Sequence, residues 1–419
     1  MSEEKIKVLT ISDIPLGTSG VGLQTRNFIE GLLKTGRYKV ISLGGAMSHQ
    51  NYNPIKTEEW GDDFVVHPVN GFGDEGTIRS ILRNEKPDIV WIMTDPRFFE
   101  WLWAMENEIR ALAPLVYYHV WDNYPYPTYN KPWYNSNDKI VCISKLTHDV
   151  VKNVAPEVES EYLPHAVHSE IFKPFEESLV QKLRSENFND DKDKLIFFWN
   201  NRNAKRKLSA TIIYWFKKFL DKVGHDKALL LMHTNPKDAH GPDLEAVINE
   251  FGLSDGQVLF STNKLPAHEL AAMYNIVDCT INVSDAEGFG LGTLESLSCG
   301  TPIIVNMTGG LQEQVTDGKN NFGIAINPVS KAVIGSQNVP FIYEDRICEE
   351  DFLKALESMY DMSKEDRKKL GLAGRQHVLK NYSYEKYQSR WVEIMDEVHE
   401  KWGSWKNKKK NKLWTMEVV

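Results

Sequence analysis

A chain of 419 residues is long enough for two ordinary domains. Apolar residues at 42% and charged residues at 26% exclude a disordered chain, and four widely spaced cysteines (Cys142, Cys279, Cys299, Cys348) exclude a disulfide framework or a zinc site. With 49 basic against 58 acidic side chains the net charge is −9, so the molecule as a whole is not a polyanion binder, although a local basic patch remains open.

Short apolar runs alternate with helix-length amphipathic stretches. Lys5–Ile11 reads as a strand, followed by a glycine-rich loop and a helix from Gly20 to Leu33. Lys39–Leu43, Asp88–Met93, Leu115–Val120 and Lys139–Ile143 read as further strands, with helices over Thr77–Arg83 and Phe98–Leu112 between them. The pattern breaks near His165–Phe175, and a polar stretch runs on to Lys194 as an expected linker. Alternation then restarts with Leu195–Trp199 and a helix over Leu208–Val223, whose Leu208, Ile212, Trp215, Phe216, Phe219 and Val223 form one apolar stripe. Leu229–His233, Gln257–Phe260, Asp278–Val283 and Pro302–Asn306 continue as strands, and the chain from Glu349 onward reads as mostly helical. Strand–helix alternation occurring twice predicts an α/β protein of two Rossmann-like, doubly wound domains facing a cleft. The expected domains are 1–175, 176–382 and a crossover helix with a basic tail over 383–419. No apolar run reaches the ~18 residues of a membrane helix, and the acidic start lacks a signal peptide's layout, so a cytoplasmic protein is expected.

Three motifs carry chemistry. Gly17-Thr18-Ser19-Gly20-Val21-Gly22 follows the first strand and opens a helix, where backbone amides favour a phosphate or polar ligand. A dinucleotide site would need an acidic residue at the end of the second strand, and Leu43-Gly44-Gly45 stands there instead. Glu287-Gly288-Phe289-Gly290-Leu291-Gly292-Thr293-Leu294-Glu295 places two carboxylates around a glycine loop that opens a helix. The glycines and helix start suit a diphosphate; the carboxylates suit sugar or ribose hydroxyls. Asn201-Arg202-Asn203-Ala204-Lys205-Arg206-Lys207 puts four cations after the strand that opens the second domain, a preorganised clamp for a departing diphosphate.

Taken together, these motifs resemble the retaining nucleotide-sugar glycosyltransferases of family 4 (glycosyl transferases group 1), which have the GT-B fold. Glu287 to Glu295 looks like that family's E-x7-E signature, followed by Ser298-Cys299-Gly300-Thr301-Pro302 and Thr308-Gly309-Gly310. Arg202 and Lys207 match its Arg-x4-Lys pair, Gly17–Gly22 its first-domain glycine loop, and His119 a histidine next to the transferred sugar. The resemblance implies that Glu287 contacts the donor sugar and Glu295 the ribose. It implies that Arg202 and Lys207 stabilise the leaving diphosphate, with Gly288, Phe289, Gly290, Leu291, Gly20 and Gly22 as further donor contacts and His119 shaping the sugar site. It implies transfer with retention, no bound metal, no cofactor beyond a UDP- or GDP-sugar co-substrate, and a C-terminal helix that crosses back to the first domain. Ala166 and His168 stand where the family often has Gly and Asp, and Phe260-Ser261-Thr262-Asn263-Lys264 lacks the usual glycine, which leaves the nucleotide base open.

The aromatic run Trp121-Asp122-Asn123-Tyr124-Pro125-Tyr126-Pro127-Thr128-Tyr129 is a candidate acceptor surface, since aromatic faces stack on sugar rings or bases. The acceptor is expected to be a glycan, lipid-linked or nucleic-acid hydroxyl. The tail from Lys401 to Trp414, with six lysines and three tryptophans, is a candidate contact for an anionic membrane surface, which would make the protein peripheral there, or for a nucleic-acid backbone. Alternatives that the residues leave open are a sugar-nucleotide epimerase or hydrolase, the same transfer onto a nucleic-acid base, and a non-catalytic nucleotide- or polyanion-binding module.

Overall fold

A computed structural model describes residues 4–403; the basic run Lys406–Lys412 lies outside the described residues. Two compact units divide the chain: residues 1–166 with 384–419, and residues 167–383.

The first unit is built on an eight-stranded sheet. Its strands are β1 (Ile6–Asp13), β2 (Tyr38–Gly45), β3 (Ile55–Lys56), β4 (Phe64–Pro68), β5 (Ile89–Thr94), β6 (Leu115–His119), β7 (Lys139–Cys142) and β8 (Glu159–Tyr162). They lie in the order β3-β4-β2-β1-β5-β6-β7-β8, all parallel to their neighbours except β3, which runs antiparallel to β4. Strands such as Ile89–Thr94 are buried along their whole length because helices cover both faces, which is why they read as continuous apolar runs.

The C-terminal helix Tyr384–Trp402 belongs to this unit and packs on the helix Gly20–Leu33. The approach is close at Gly31, where an added Cβ would sit 2.9 Å from the Gln388 Cβ. Trp391 meets Phe28 edge-on at 4.9 Å, Phe28 stacks on Trp91 at 4.4 Å, and Arg37 grips Asp396 with two hydrogen bonds of 2.9 and 2.8 Å.

In the second unit β9 (Leu195–Asn200), β10 (Ala228–His233), β11 (Val258–Ser261), β12 (Cys279–Asn282), β13 (Ile303–Asn306) and β14 (Gly323–Ile326) form a parallel sheet in the order β11-β10-β9-β12-β13-β14. A separate antiparallel hairpin joins β15 (Ser330–Ile334) to β16 (Ile342–Arg346). The core gathers Phe197, Trp199, Ile212, Phe216 and Phe219 with Phe352 and Leu356 of the helix Glu349–Asp361. The apolar stripe of the helix Ser209–Val223 faces this core, with Trp215 and Val223 at its partly buried edge.

Three expectations change. The stretch Phe98–Leu112 is not one helix: it breaks at Met105, whose backbone leaves helical geometry (φ −113°, ψ 16°), into Glu100–Ala104 and Glu106–Arg110. The polar stretch read as a linker holds the helix Glu177–Phe188, whose polarity reflects exposure along most of its length. Residues 167–175 join the second unit, because the Ser298 hydroxyl donates to the Phe172 carbonyl at 2.6 Å and the Phe172 ring meets Tyr274 at 6.2 Å. Among the described residues no helix is long and apolar enough to cross a membrane.

Candidate active site

In a parallel sheet the loops at the carboxyl ends of the strands are free to bind ligands. In the second unit those are the loop after β9 with Arg202 and Lys207, the loop after β12 with Glu287, and the turn after β13 with Thr308 to Gly310.

Lys207 and Glu287 are brought together as an ion pair, with side chains 9% and 12% exposed. Asn282, the last residue of β12, donates to the same Glu287 oxygen at 3.1 Å. Burial by itself would push the Glu287 carboxyl up. The charges of Lys207 and Arg206, with hydrogen bonds from Lys207 and Asn282, outweigh it and bring the carboxyl down to about 2. The site therefore holds a fixed, ionised carboxylate whose charge is balanced by a fixed ammonium. Arg206 braces the same loop by donating to the Ala286 carbonyl, while the Asp285 amide donates back to the Arg206 carbonyl at 2.9 Å.

The turn after β13 supports the loop from below. Gly309 has φ +48°, and a Cβ there would fall 1.7 Å from the Glu287 carbonyl oxygen. No side chain larger than hydrogen fits that approach. The Gly310 amide donates to the same carbonyl at 3.1 Å, and the Thr308 hydroxyl donates to Asp345 of β16 at 2.7 Å.

Gly290, at φ +88°, turns the chain into the short helix Leu291–Ser298, whose start has no side-chain cap. Orphan amides at such a start favour an anion. Gln314 fixes this turn, donating to the Phe289 carbonyl at 2.7 Å and accepting from the Thr293 hydroxyl at 2.7 Å. Gly288 and Phe289 carry the chain between Glu287 and this turn, and the Phe289 ring packs on Tyr382.

Glu295 lies deeper on that helix, accepting from the Tyr274 hydroxyl at 2.9 Å; Tyr274 in turn accepts from the Asn200 amide at 2.8 Å. Burial pushes the Glu295 carboxyl up to about 7, against the opposing Tyr274 hydrogen bond. Arg202 is not at the Lys207–Glu287 pair. Its exposed side chain reaches the other way, pairing with Asp238 at 2.8 Å and His240 at 2.7 Å.

In the first unit Gly20 and Gly22 begin the helix Gly20–Leu33. Ser19 caps it, its hydroxyl accepting from the Gly22 amide at 3.0 Å and donating to Asp13 at 2.6 Å. The loop thus already satisfies one of its own amides. His119, which the resemblance casts as shaping the sugar site, is fully enclosed. Its Nε2 meets the Tyr134 hydroxyl at 2.8 Å, and Nδ1 is buried without a hydrogen-bond partner. Burial lowers the imidazole to about 3, so it is neutral at pH 7 and supports the aromatic loop above it. In that loop Trp121 meets Tyr129 at 6.3 Å, and the hydroxyls of Tyr124 and the exposed Tyr126 both donate to Asp149.

Sequence reasoning missed Asn282, Tyr274, Gln314 and Asp345 as site supports. Each lies outside the motif it serves, so only folding places it there. Asn282 was detectable in principle as a polar residue within an apolar run, whereas Gln314 stands among other polar residues and carried no such signal.

Residues 180–336 match the family model described as "Glycosyl transferases group 1", and the fold is that of the GT-B glycosyltransferases. Sucrose-phosphate synthase from Thermosynechococcus elongatus superposes with a TM-score of 0.75 at 15% identity, covering 94% of this chain and 100% of that one. HepE of Anabaena in complex with UDP and glucose superposes at 0.70 with 14% identity, covering 93% and 99%. In sequence, a D-inositol 3-phosphate glycosyltransferase of Streptosporangium roseum is 43% identical over 75 residues, 18% of this chain and 17% of that protein. An N-acetyl-alpha-D-glucosaminyl L-malate synthase of Bacillus anthracis is 22% identical over 221 residues, 53% of each. The chain thus aligns with only part of its curated relatives' length, from about a sixth to about a half.

Proposed function

We propose that this protein is a glycosyltransferase that moves a sugar from a nucleotide-diphosphate donor to an acceptor hydroxyl, with retention of configuration and without a metal ion. The observation that carries the proposal is the Lys207–Glu287 pair, held one turn away from the uncapped start of the helix Leu291–Ser298. A fixed carboxylate can orient sugar hydroxyls, while a fixed ammonium and helix-start amides stabilise the charge that builds on a leaving diphosphate. Glu295 supplies an acceptor for ribose hydroxyls from the same helix. On donor binding, Arg202 turns from Asp238 to the diphosphate, since an exposed ion pair costs little to break.

The donor in this reading is a UDP- or GDP-sugar. Support comes from HepE, solved with UDP and glucose, and from a GDP-mannose-dependent mannosyltransferase of Mycolicibacterium smegmatis, 25% identical over 210 residues. The acceptor hydroxyl attacks on the face from which the diphosphate departs and passes its proton to a phosphate oxygen, so no protein base is required and the enclosed His119 is not one. The loop Trp121–Tyr129, with exposed Tyr126, forms an acceptor surface of the first unit.

The test is nucleotide release by the purified protein from a panel of UDP-, GDP-, ADP- and dTDP-sugars without divalent metal, comparing wild type with Glu287→Ala and Arg202→Ala. Release from one donor, abolished by Glu287→Ala and weakened about tenfold or more by Arg202→Ala, is expected. Absence of release together with absence of nucleotide binding by thermal shift would replace this reading with a non-catalytic module.

A further inference from the structure

The second unit contains a cavity that the donor chemistry does not use. It measures about 560 Å³ and lies at the amino ends of the strands, lined by Leu195 at the start of β9 and by Lys227, Asp278 and Pro302 just before β10, β12 and β13. The donor loops all follow carboxyl ends, so this cavity opens on the opposite edge of the sheet. Its size suits a small metabolite.

Its charge is unbalanced. Two guanidiniums, Arg184 and Arg367, share the single carboxylate of Asp278 at 3.1 and 3.9 Å, and all three side chains are at most 15% exposed. Asp278 is already engaged, accepting from the Ile196 amide at 2.9 Å. Arg367 turns one terminal nitrogen to the carbonyls of Met359 and Met362, while its Nε has no acceptor at all. Around them stand Lys192, Lys194, Lys227, Lys364 and Lys368, against Glu177 and Asp193 as further acids on the lining. Lys194 and Lys227 also pair with Asp191 and Asp226 just outside it, at 2.7 and 2.8 Å, which still leaves cations in excess. Lys364 and Lys368 both draw on Glu177, at 2.6 and 3.6 Å, so that carboxylate too is shared between two cations. A cavity with more buried cations than anions is stabilised by an anionic occupant, and guanidinium beside ammonium is the donor set for phosphate.

We propose that this cavity is a second ligand site that takes a compact phosphomonoester, separate from the donor site. It seats the phosphate over the positive field of Arg184 and Arg367, whose own hydrogen bonds go to Asp278 and to the carbonyls of Lys192, Ile276, Lys194, Met359 and Met362. The rim lysines make the direct ammonium contacts, with apolar Val180, Val277 and Leu372 beside its organic body. Helix Glu177–Phe188 and helix Lys364–Asn381 both contribute to the wall, so an occupant ties these two helices together.

The experiment is calorimetric titration of the full chain with inorganic phosphate, glucose 6-phosphate and glucose, in a Lys207→Met, Glu287→Gln background that disables the donor clamp without leaving a buried charge unpaired. Both phosphates are expected to bind saturably at one site and glucose not at all, with glucose 6-phosphate tighter than inorganic phosphate. Lys192→Glu with Lys368→Glu, exposed rim changes away from the donor loops, should weaken both phosphates about tenfold or more. The same pair of changes in the otherwise wild-type chain should leave nucleotide-diphosphate binding unaltered. No saturable phosphate binding, equal binding after the rim changes, or binding seen only when Lys207 is intact would each overturn the proposal. Because nucleotide-diphosphate binding is read separately, a failure of the donor reading would be distinguishable from a failure here.

Discussion

Replacing Lys207 with Met removes one charge from a nearly buried pair while keeping most of the side chain's volume, so its effect on stability should depend on pH in a way that simple packing loss cannot. In the wild type, Glu287 titrates at about 2 against an ordinary 4.5. A carboxyl depressed by folding contributes stability that is present above its unfolded pKa and is lost as pH falls through the folded value. From 4.5 to about 2 this amounts to about 3 kcal/mol at neutral pH. In Lys207→Met the burial remains while the principal opposing charge is gone, so the carboxyl moves upward. Stability is then lost as pH rises, the reverse of the wild-type trend. The expected cost of the substitution is about 3–5 kcal/mol at pH 7, shrinking to about 1–2 kcal/mol at pH 3. Urea unfolding read by hydrogen exchange in peptides from β9 and β12 isolates the second unit from the first. Adding Glu287→Gln to Lys207→Met should recover much of the loss at pH 7, because no buried charge is then left unpaired. A cost that is equal at pH 7 and pH 3, or no recovery in the double variant, would refute the coupling.

Two further outcomes follow from the same loops. Gly309→Ala must move the Glu287 carbonyl by more than 1 Å to clear a Cβ placed 1.7 Å away, so donor turnover should fall about 100-fold. Gly318→Ala, at φ +87° with open space around it, should cost only the ~1 kcal/mol of left-handed strain and leave turnover intact; equal effects of the two on turnover would dismiss the steric account. Glu295→Gln should stabilise the second unit at pH 8 and much less at pH 5. A carboxyl raised by burial to about 7 contributes stability at low pH that is lost as pH rises through that value, whereas an amide does not titrate. Denaturation at the two pH values decides it, and a gain independent of pH would count against a buried, titrating Glu295.

The sequence by itself determined the class of fold and most of the motif positions. Apolar runs such as Ile89–Thr94 are legible because a strand covered on both faces has no polar alternation to confuse it, and Gly290 marks a left-handed turn after Glu287 that other residues rarely adopt. It could not show that Phe98–Leu112 breaks at Met105, because both short helices keep helical spacing and no glycine or proline marks the kink. Polarity likewise hid the helix Glu177–Phe188, since an exposed helix and a linker share a composition. The run Asn201–Lys207 was legible as a cationic clamp, and the family resemblance singled out Arg202 and Lys207 within it. Tertiary structure gave Lys207 to Glu287 and turned Arg202 toward Asp238, because Arg202 lies in the irregular part of the loop and Lys207 in the 3-10 turn Lys205–Lys207 that ends it, so the two need not point the same way. His119 was legible as a strand-end histidine, but only the packing of Tyr117, Trp121 and Tyr134 around it decided that it is enclosed and neutral. The opposed protonation of Glu287 and Glu295 was equally invisible, since the two carry the same side chain on one motif. Pairing and burial, which are long-range properties, hold one down at about 2 and push the other up to about 7.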